Sequence, residues 1–413
     1  MDKRQKVPYS GITYERLEAI LQRELKTTAE FQRCTAERIG QTSGFLSRVV
    51  RLTIEWSSSD VELPKRVVLK TPTLQALEQI HGELDDLQEA LGGKKAVLNK
   101  GVLMAHNNEC KFYEYAKGRE DEFICPKIYF TEEACEEELK EGVIVMEDLS
   151  SRGFFKGIMD LEGSPSVMKD VVQTLARIHC ATLRDTEWTK HGIAVTIVDV
   201  MGDQCEEVLE SMSRAGVNLM KTTYADYYAP ETADRVLSLQ NVRNFMYAYK
   251  LHEEMKMPAV LVHGDIRLVN LLLKKDEEGE ERLEAMFDWQ LAHPGSVAED
   301  LARLICCHTN AEFRKRHTQE LLRHYYQCLQ KEFARFCEEP PFGFDSVFET
   351  YRRLFKLGCV TIAPSVPLML QSETLFRDME EPEAVKRKLL QHSNALLEEL
   401  YLIEDKQQIP WDR

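Results

Sequence analysis

The stretch that most limits how this chain can fold is residues 259–273 (AVLVHGDIRLVNLLL), with MFDWQ at 286–290. Residues 259–262 form a short apolar run, the pattern of a buried strand. His263, Gly264 and Asp265 follow, and Asn270 comes five residues after Asp265. A second apolar run at 271–273 leaves the loop, and an acidic turn at 275–281, with Gly279 in it, reverses the chain. Residues 283–287 return and end on Asp288. Two arms of similar length, each rising about 3.3 Å per residue, bring the chain back to where it began. The spacing therefore predicts that Asp288 lies beside the loop that holds Asp265 and Asn270. Two carboxylates and an amide at one end of a small sheet form an all-oxygen donor set. Mg²⁺ suits such a set, keeping some waters and completing its shell with phosphates.

Upstream, Val50, Leu52, Ile54 and Trp56 alternate with Arg51, Thr53 and Glu55, which predicts a strand. Residues 66–70 read as its partner, with Lys70 at the end. Gly40 and Gly44, in IGQTSGFLS at 39–47, mark the loop before this pair. Thr13 is placed to cap a helix through Leu25, with Leu17, Ile20, Leu21 and Leu25 on one face. A helix over about 103–116 puts Glu109, Phe112 and Tyr113 on one face. A hairpin at 126–145 leads to Met146, Glu147, Asp148 and Leu149. Beyond residue 150 the pattern is helical. Ser164 and Pro165 open a helix that His179 is expected to end, packed in the core. Further helices are expected near 203–215, 231–255, 299–308, 311–337, 344–359 and 379–402, with Asp300 as an N-cap.

The 413 residues suffice for two lobes or domains. A net charge of −16, from 53 basic and 69 acidic residues, argues against a nucleic-acid surface or a general attraction to anionic membrane. The 11 cysteines are scattered without a CxxC pair, the pattern of reduced thiols. MDKRQKVPYS lacks an apolar leader and no run is long enough to span a membrane, so the expectation is a cytoplasmic protein.

An Asp, an Asn five residues later and a hairpin to a second Asp are also the arrangement of protein kinases. There the first Asp faces the acceptor hydroxyl, and the Asn and second Asp hold metal. Reading HGD for HRD and DWQ for DFG, the chain resembles the small-molecule branch: aminoglycoside phosphotransferases, choline kinases and above all the ecdysteroid kinase-like (CHK kinase-like) family. The pattern of that family is met by His263, Gly264 and Asp265, by Asn270, by Asp288, Trp289 and Gln290, by Gly295 and Ser296, and by Asp300, Leu301 and Ala302.

The resemblance implies an α+β, two-lobed protein kinase-like fold. A strand-rich nucleotide-binding lobe would cover 1–148, with an insertion at about 72–100, and a mainly helical catalytic and substrate lobe 149–413. It implies ATP and Mg²⁺, with Asp265 catalytic and Asn270 and Asp288 as metal ligands. Lys70, held by Glu109, would reach the α- and β-phosphates, and Ser43 and Gly44 would lie in the loop over the triphosphate. The main chain at Glu147 and Leu149 would meet the adenine edge. Arg267 replaces a frequent Trp and is either a cation for the transferred phosphate or a solvated loop charge. The matching Asp300 would brace the catalytic loop. The implied activity is phosphorylation of a hydroxyl on a small-molecule partner, sterol-like or amino-alcohol. Two rivals remain: a pseudokinase that binds nucleotide without turnover, and a metal-dependent hydrolase using His263, Asp265, Asp288 and His293. The hydrolase leaves Lys70 and Glu109 without a task.

Overall fold

The computed structural model describes residues 2–40, 46–60, 62–73, 95–135, 141–157, 162–377, 379–406 and 411. The first lobe is built on a five-stranded antiparallel sheet, β1 (Phe31–Ile39), β2 (Ser47–Trp56), β3 (Arg66–Pro72), β4 (Ile128–Glu132) and β5 (Val143–Glu147), in the order β1-β2-β3-β5-β4. The period of two sorts its side chains between two cores. Val67, Leu69, Val143 and Val145 pack with Leu17 and Leu21 of helix Tyr14–Leu25. Val68, Ile144 and Met146 join the opposite core, which runs on into the second lobe. Lys70 has the parity of Val68, so it points toward that second core and the helix Lys95–Ala116. Thr13 caps Tyr14–Leu25 through the Arg16 N–H, as its position predicts.

The second lobe carries the short strands. β7 (Val260–Val262) pairs with β10 (His293–Gly295), and β8 (Leu271–Lys275) pairs with β6 (Phe154–Phe155) and β9 (Glu281–Met286). All these pairs are antiparallel. Around them pack helices Pro165–Arg184, Cys205–Lys221, Glu299–His308, Ala311–Ala334, Phe344–Ile362 and Pro382–Lys406. The fold is thus α+β and two-lobed, strand-rich first and helical afterwards. No helix among the described residues is long and apolar enough to cross a membrane.

Several local expectations are corrected. β1 is a full strand that periodicity did not reveal. The helix opened by Ser164 and Pro165 runs past His179 to Arg184. His179 is nevertheless core, with Nδ1 2.7 Å from the Tyr325 hydroxyl. Residues 231–255 are not one helix. Asn241 takes the Asn244 N–H and starts a new one, dividing Pro230–Leu239 from Val242–Tyr249. Helix Glu299–His308 is capped at Ala298, so Asp300 lies inside its first turn and is not the N-cap. Of the expected insertion, 74–94 lies outside the described residues, and Lys95 onward is already helix.

Candidate active site

The hairpin brings its returning end back beside the Asp265 loop. Phe287, which precedes Asp288, donates its N–H to Asn270 O (2.9 Å) and accepts His263 Nε2–H at its carbonyl (2.8 Å). The returning strand is therefore tied to both ends of the loop. Asp288 itself turns the chain at φ +67°, a left-handed conformation that Asp tolerates better than bulky residues, and the short 3-10 turn Trp289–Leu291 follows. Gly264 is needed for a related reason. Its φ is +82°, and a Cβ there would lie 2.3 Å from Leu291 O.

The loop is braced from behind. Asp300 accepts the His263 N–H (2.7 Å) and the Gly264 N–H (3.0 Å). Asp265 N–H donates to His263 Nδ1 (3.2 Å), so His263 is the neutral Nε2–H tautomer. Burial pushes its pKa down to about 4, which removes it as a proton carrier near neutrality. The Leu268 N–H donates to His308 Nε2 (2.9 Å).

Asp265 sits at the tip with a carboxylate that is 6% exposed. Arg267 grips it with two N–H groups, Nε at 3.0 Å and Nη2 at 2.9 Å, and Arg303 adds Nη2 at 2.5 Å. Asn270 Nδ2 donates to its main-chain oxygen (2.9 Å) and to Oδ2 (3.1 Å). Burial alone would raise the Asp265 pKa, but the two guanidiniums override it and hold the group well below the carboxylate range. Arg267 is thus not a solvated loop charge. Arg303 went unnoticed in the sequence, since it lies 38 residues from Asp265 and no local pattern announces it.

Lys70 meets two carboxylates, Glu109 Oε2 at 2.6 Å and Asp288 Oδ1 at 2.5 Å. Burial pushes its ammonium toward neutrality, but Asp288 and Glu109 outweigh that and hold its pKa above the ordinary value. The expected pairing of Lys70 and Glu109 is present; the direct contact with Asp288 is an addition. The Glu109 helix is also fastened to the segment after Asp288. Asn108 Nδ2 donates to Gln290 O (3.1 Å) and Ala292 O (2.8 Å), and Phe112 stacks on Trp289 with ring centres 4.0 Å apart.

The donor set fits a hard cation. The Asp288 side chain is 21% exposed, against 1% for Glu109. Asn270 spends its Nδ2 on Asp265, which leaves Oδ1 as its acceptor among the described residues. The hydrolase set is not assembled: His293 turns Nδ1 to Leu291 O (2.8 Å) and Nε2 to Glu299 (3.0 Å). No group of three His, Cys, Asp or Glu suited to a metal occurs among the described residues. Ser43 and Gly44 lie outside the described residues. Glu147 donates its N–H to Lys127 O (2.9 Å) and Leu149 O accepts from the Arg152 N–H (2.8 Å). Leu149 packs on Leu272, Ala285 and Phe287, joining the connecting segment to the hairpin.

The sheet, the Lys70–Glu109 pair and the Asp265–Asn270–Asp288 hairpin together define a protein kinase-like fold. The chain matches the DUF1679 family, described as "Uncharacterized oxidoreductase dhs-27", over residues 10–408, and belongs to it. It is similar to an uncharacterised kinase-like protein of Caenorhabditis elegans, 33% identical over 106 residues, or 26% of each chain. The chain therefore matches about a quarter of that relative's length. It is similar to the solved choline kinase of Cryptosporidium parvum, with a TM-score of 0.45 and 12% identity over 88% of this chain and 90% of that one. For the Plasmodium vivax ethanolamine kinase the TM-score is 0.39 at 11% identity, over 87% and 82% of the two chains.

Proposed function

We propose that this protein is an ATP-dependent phosphotransferase acting on a hydroxyl group of a small molecule, in line with its resemblance to CHK kinase-like proteins. The observation that carries the reading is the convergence, from elements far apart in sequence, of the Lys70–Glu109 pair on Asp288 and of the Asp288 strand end on the loop that holds Asp265 and Asn270. Lys70 would bind the α- and β-phosphates, with Glu109 holding it in place. Asn270 Oδ1 and Asp288 would hold Mg²⁺, which when bound neutralises phosphate charge. Asp265 would orient the acceptor hydroxyl and receive its proton. The hydroxyl oxygen bonds to the γ-phosphorus, the bond to the bridging oxygen breaks, and ADP leaves. Arg267, beside that proton acceptor, would face the transferred phosphoryl group. The Leu149 N–H and the Glu147 main chain would meet the adenine edge, with Ser43 and Gly44 in the loop over the triphosphate.

The word oxidoreductase in the family description finds no support in the sheets. Dinucleotide crevices of the doubly wound kind lie at the carboxyl ends of parallel strands, and every strand pair among the described residues is antiparallel. The pseudokinase reading has one observation in its favour: the Asp265 carboxylate is fully engaged by two arginines. ADP formation from ATP across a panel of sterols, amino alcohols, sugars and hydroxy acids decides between them. Acceptor-dependent ADP formation supports the kinase. Tight Mg-ATP binding with no turnover on any acceptor supports the pseudokinase.

A further inference from the structure

The Asp265 carboxylate carries two donors on each oxygen. Oδ1 accepts Arg267 Nε–H (3.0 Å) and Arg303 Nη2–H (2.5 Å), and Oδ2 accepts Arg267 Nη2–H (2.9 Å) and Asn270 Nδ2–H (3.1 Å). An ionised carboxylate offers about four lone-pair sites, so this one is full. A group that is to take the proton of a hydroxyl must first accept its hydrogen bond, at about 2.6–3.2 Å. In the arrangement seen here, one donor has to leave before that contact can form.

The donors are not held alike. Arg267 is bidentate and two residues from Asp265, and Asn270 is also bonded to the Asp265 main-chain oxygen (2.9 Å). Arg303 comes from helix Glu299–His308, 38 residues away, and holds on through Nη2 alone. Its side chain is 34% exposed, and its buried Nε has no acceptor among the described residues. One turn back on the same helix stands Glu299. Residues four apart on a helix are neighbours, and a Glu followed four residues later by a cation is the favoured order. Glu299 gives Oε1 to His293 Nε2 (3.0 Å), while its buried Oε2 has no donor among the described residues. Asp300 is no rival partner, since both its oxygens accept loop N–H groups. Arg303 and Glu299 both line a cavity of about 380 Å³ beside the loop, so the guanidinium has room to swing. A buried donor and a buried acceptor left unpaired each cost free energy, and a contact between the two side chains would recover it.

We infer that Arg303 is a latch on Asp265 with two seats: Asp265 Oδ1 in the closed state seen here, and Glu299 Oε2 in an open state. Opening frees a lone pair of Oδ1 for the acceptor hydroxyl. The proton of that hydroxyl passes to Asp265 as its oxygen bonds to the γ-phosphorus and ADP leaves. Arg267 and Asn270 stay and keep the carboxylate in place. The fully engaged carboxylate is then a closed state rather than a dead one. The use of the latch rests on the phosphotransferase reading, but the two seats do not.

The seats are tested without turnover, by urea unfolding of the full chain carrying Arg303→Met, Glu299→Gln or both, in the native background and again with Asp265→Ala. In the native background the two changes should be nearly independent, their joint effect on the unfolding constant within about twofold of the product of the single effects. Asp265→Ala removes the first seat, and the coupling should then grow about fivefold or more. Coupling absent in both backgrounds, or equal in both, overturns the inference. Asp265→Ser supplies the same background should the alanine variant fail to fold. ADP formation from Mg-ATP with water as the acceptor tests the latch in use. Glu299→Gln should slow it about threefold or more, because the open state loses its seat, and adding Arg303→Met should restore at least the native rate. A loss through His293 or through the helix would not be rescued in this way, so a double variant slower than either single one overturns the latch. Coupling that grows with Asp265→Ala, with no ADP formed by the native chain on any acceptor, upholds the two seats and sinks the phosphotransferase reading. Turnover that Arg303→Met lowers about tenfold, whichever residue stands at 299, does the reverse.

Discussion

Asp265→Asn and Asp288→Asn should fail in different ways, and the structure sets the size of each failure. Asp265 accepts three guanidinium N–H groups, at 3.0, 2.9 and 2.5 Å. A hydrogen bond to a charged partner contributes about 1.5–3 kcal/mol. The amide keeps one oxygen acceptor, and the Arg267 and Arg303 side chains, 23% and 34% exposed, can regain water. The net loss of stability should then be about 2–3 kcal/mol rather than the sum of three bonds. Urea unfolding followed by tryptophan fluorescence, with Trp289 buried near the loop, reads it. Turnover should fall by about 10²–10⁴-fold, because a carboxamide cannot take the proton. Mg-ATP affinity should stay within about threefold, a change under 1 kcal/mol. Asp288→Asn removes a charged cation ligand and one of the two carboxylates on Lys70. It should weaken Mg-ATP about tenfold or more and flatten the Mg²⁺ dependence of ATP affinity. Titrations of ATP at stepped Mg²⁺ on both variants decide the matter. An equal loss of Mg-ATP binding in the two would mean the roles are misassigned. Full turnover in Asp265→Asn would refute this kind of site altogether.

Lys70→Met should raise the Kd for Mg-ATP about tenfold or more, measured by calorimetry, since it deletes the one ammonium between Glu109 and Asp288; unchanged affinity would remove Lys70 from the phosphate site. Asn108→Ala breaks bonds to Gln290 O, Ala292 O and the Ala194 N–H, and should lower stability by about 2–3 kcal/mol at about 1 kcal/mol each; a loss below 1 kcal/mol in urea unfolding would show that the helix is held by packing alone. His293 is buried, which lowers its pKa, but Glu299 raises it on balance from 6.5 to about 8. Its folded pKa lies above the unfolded one, so its contribution of about 2 kcal/mol is complete below pH 6.5 and lost as pH rises through 8. Thermal midpoints should decline over that window in the native chain and less so in His293→Gln; parallel profiles would show that His293 is not the group responsible.

What the sequence disclosed was whatever is written locally. The caps at Thr13 and Ser164, the alternation at 50–56 and the arms flanking Gly279 each depend on neighbours within a few residues. β1 stayed hidden because its burial follows no period of two and its register slips between Phe31 and Arg33. The break at Asn241 was missed because apolar spacing continues across it, while the Asn244 N–H it accepts is a matter of backbone geometry. Asp300 looked like a cap because it opens a helix. Only the folded loop shows that its two oxygens are spent 36 and 37 residues away. The arginine pair on Asp265 and the contact between Lys70 and Asp288 are long-range electrostatics, which no local pattern encodes.

The fastening of helix Lys95–Ala116 to the segment after Asp288 bears on how such a molecule is controlled. Many kinases are switched off by swinging the Glu-bearing helix outward, which unmakes the Lys–Glu pair. Here that swing would strip Asn108 of two carbonyls and pull Phe112 off Trp289, inside a core where both rings are fully buried. A displaced state that costs about 4 kcal/mol is occupied by roughly one molecule in a thousand. On the phosphotransferase reading, an off state made by moving this helix would be thinly populated, and a compound that works by wedging the helix aside would find little to hold.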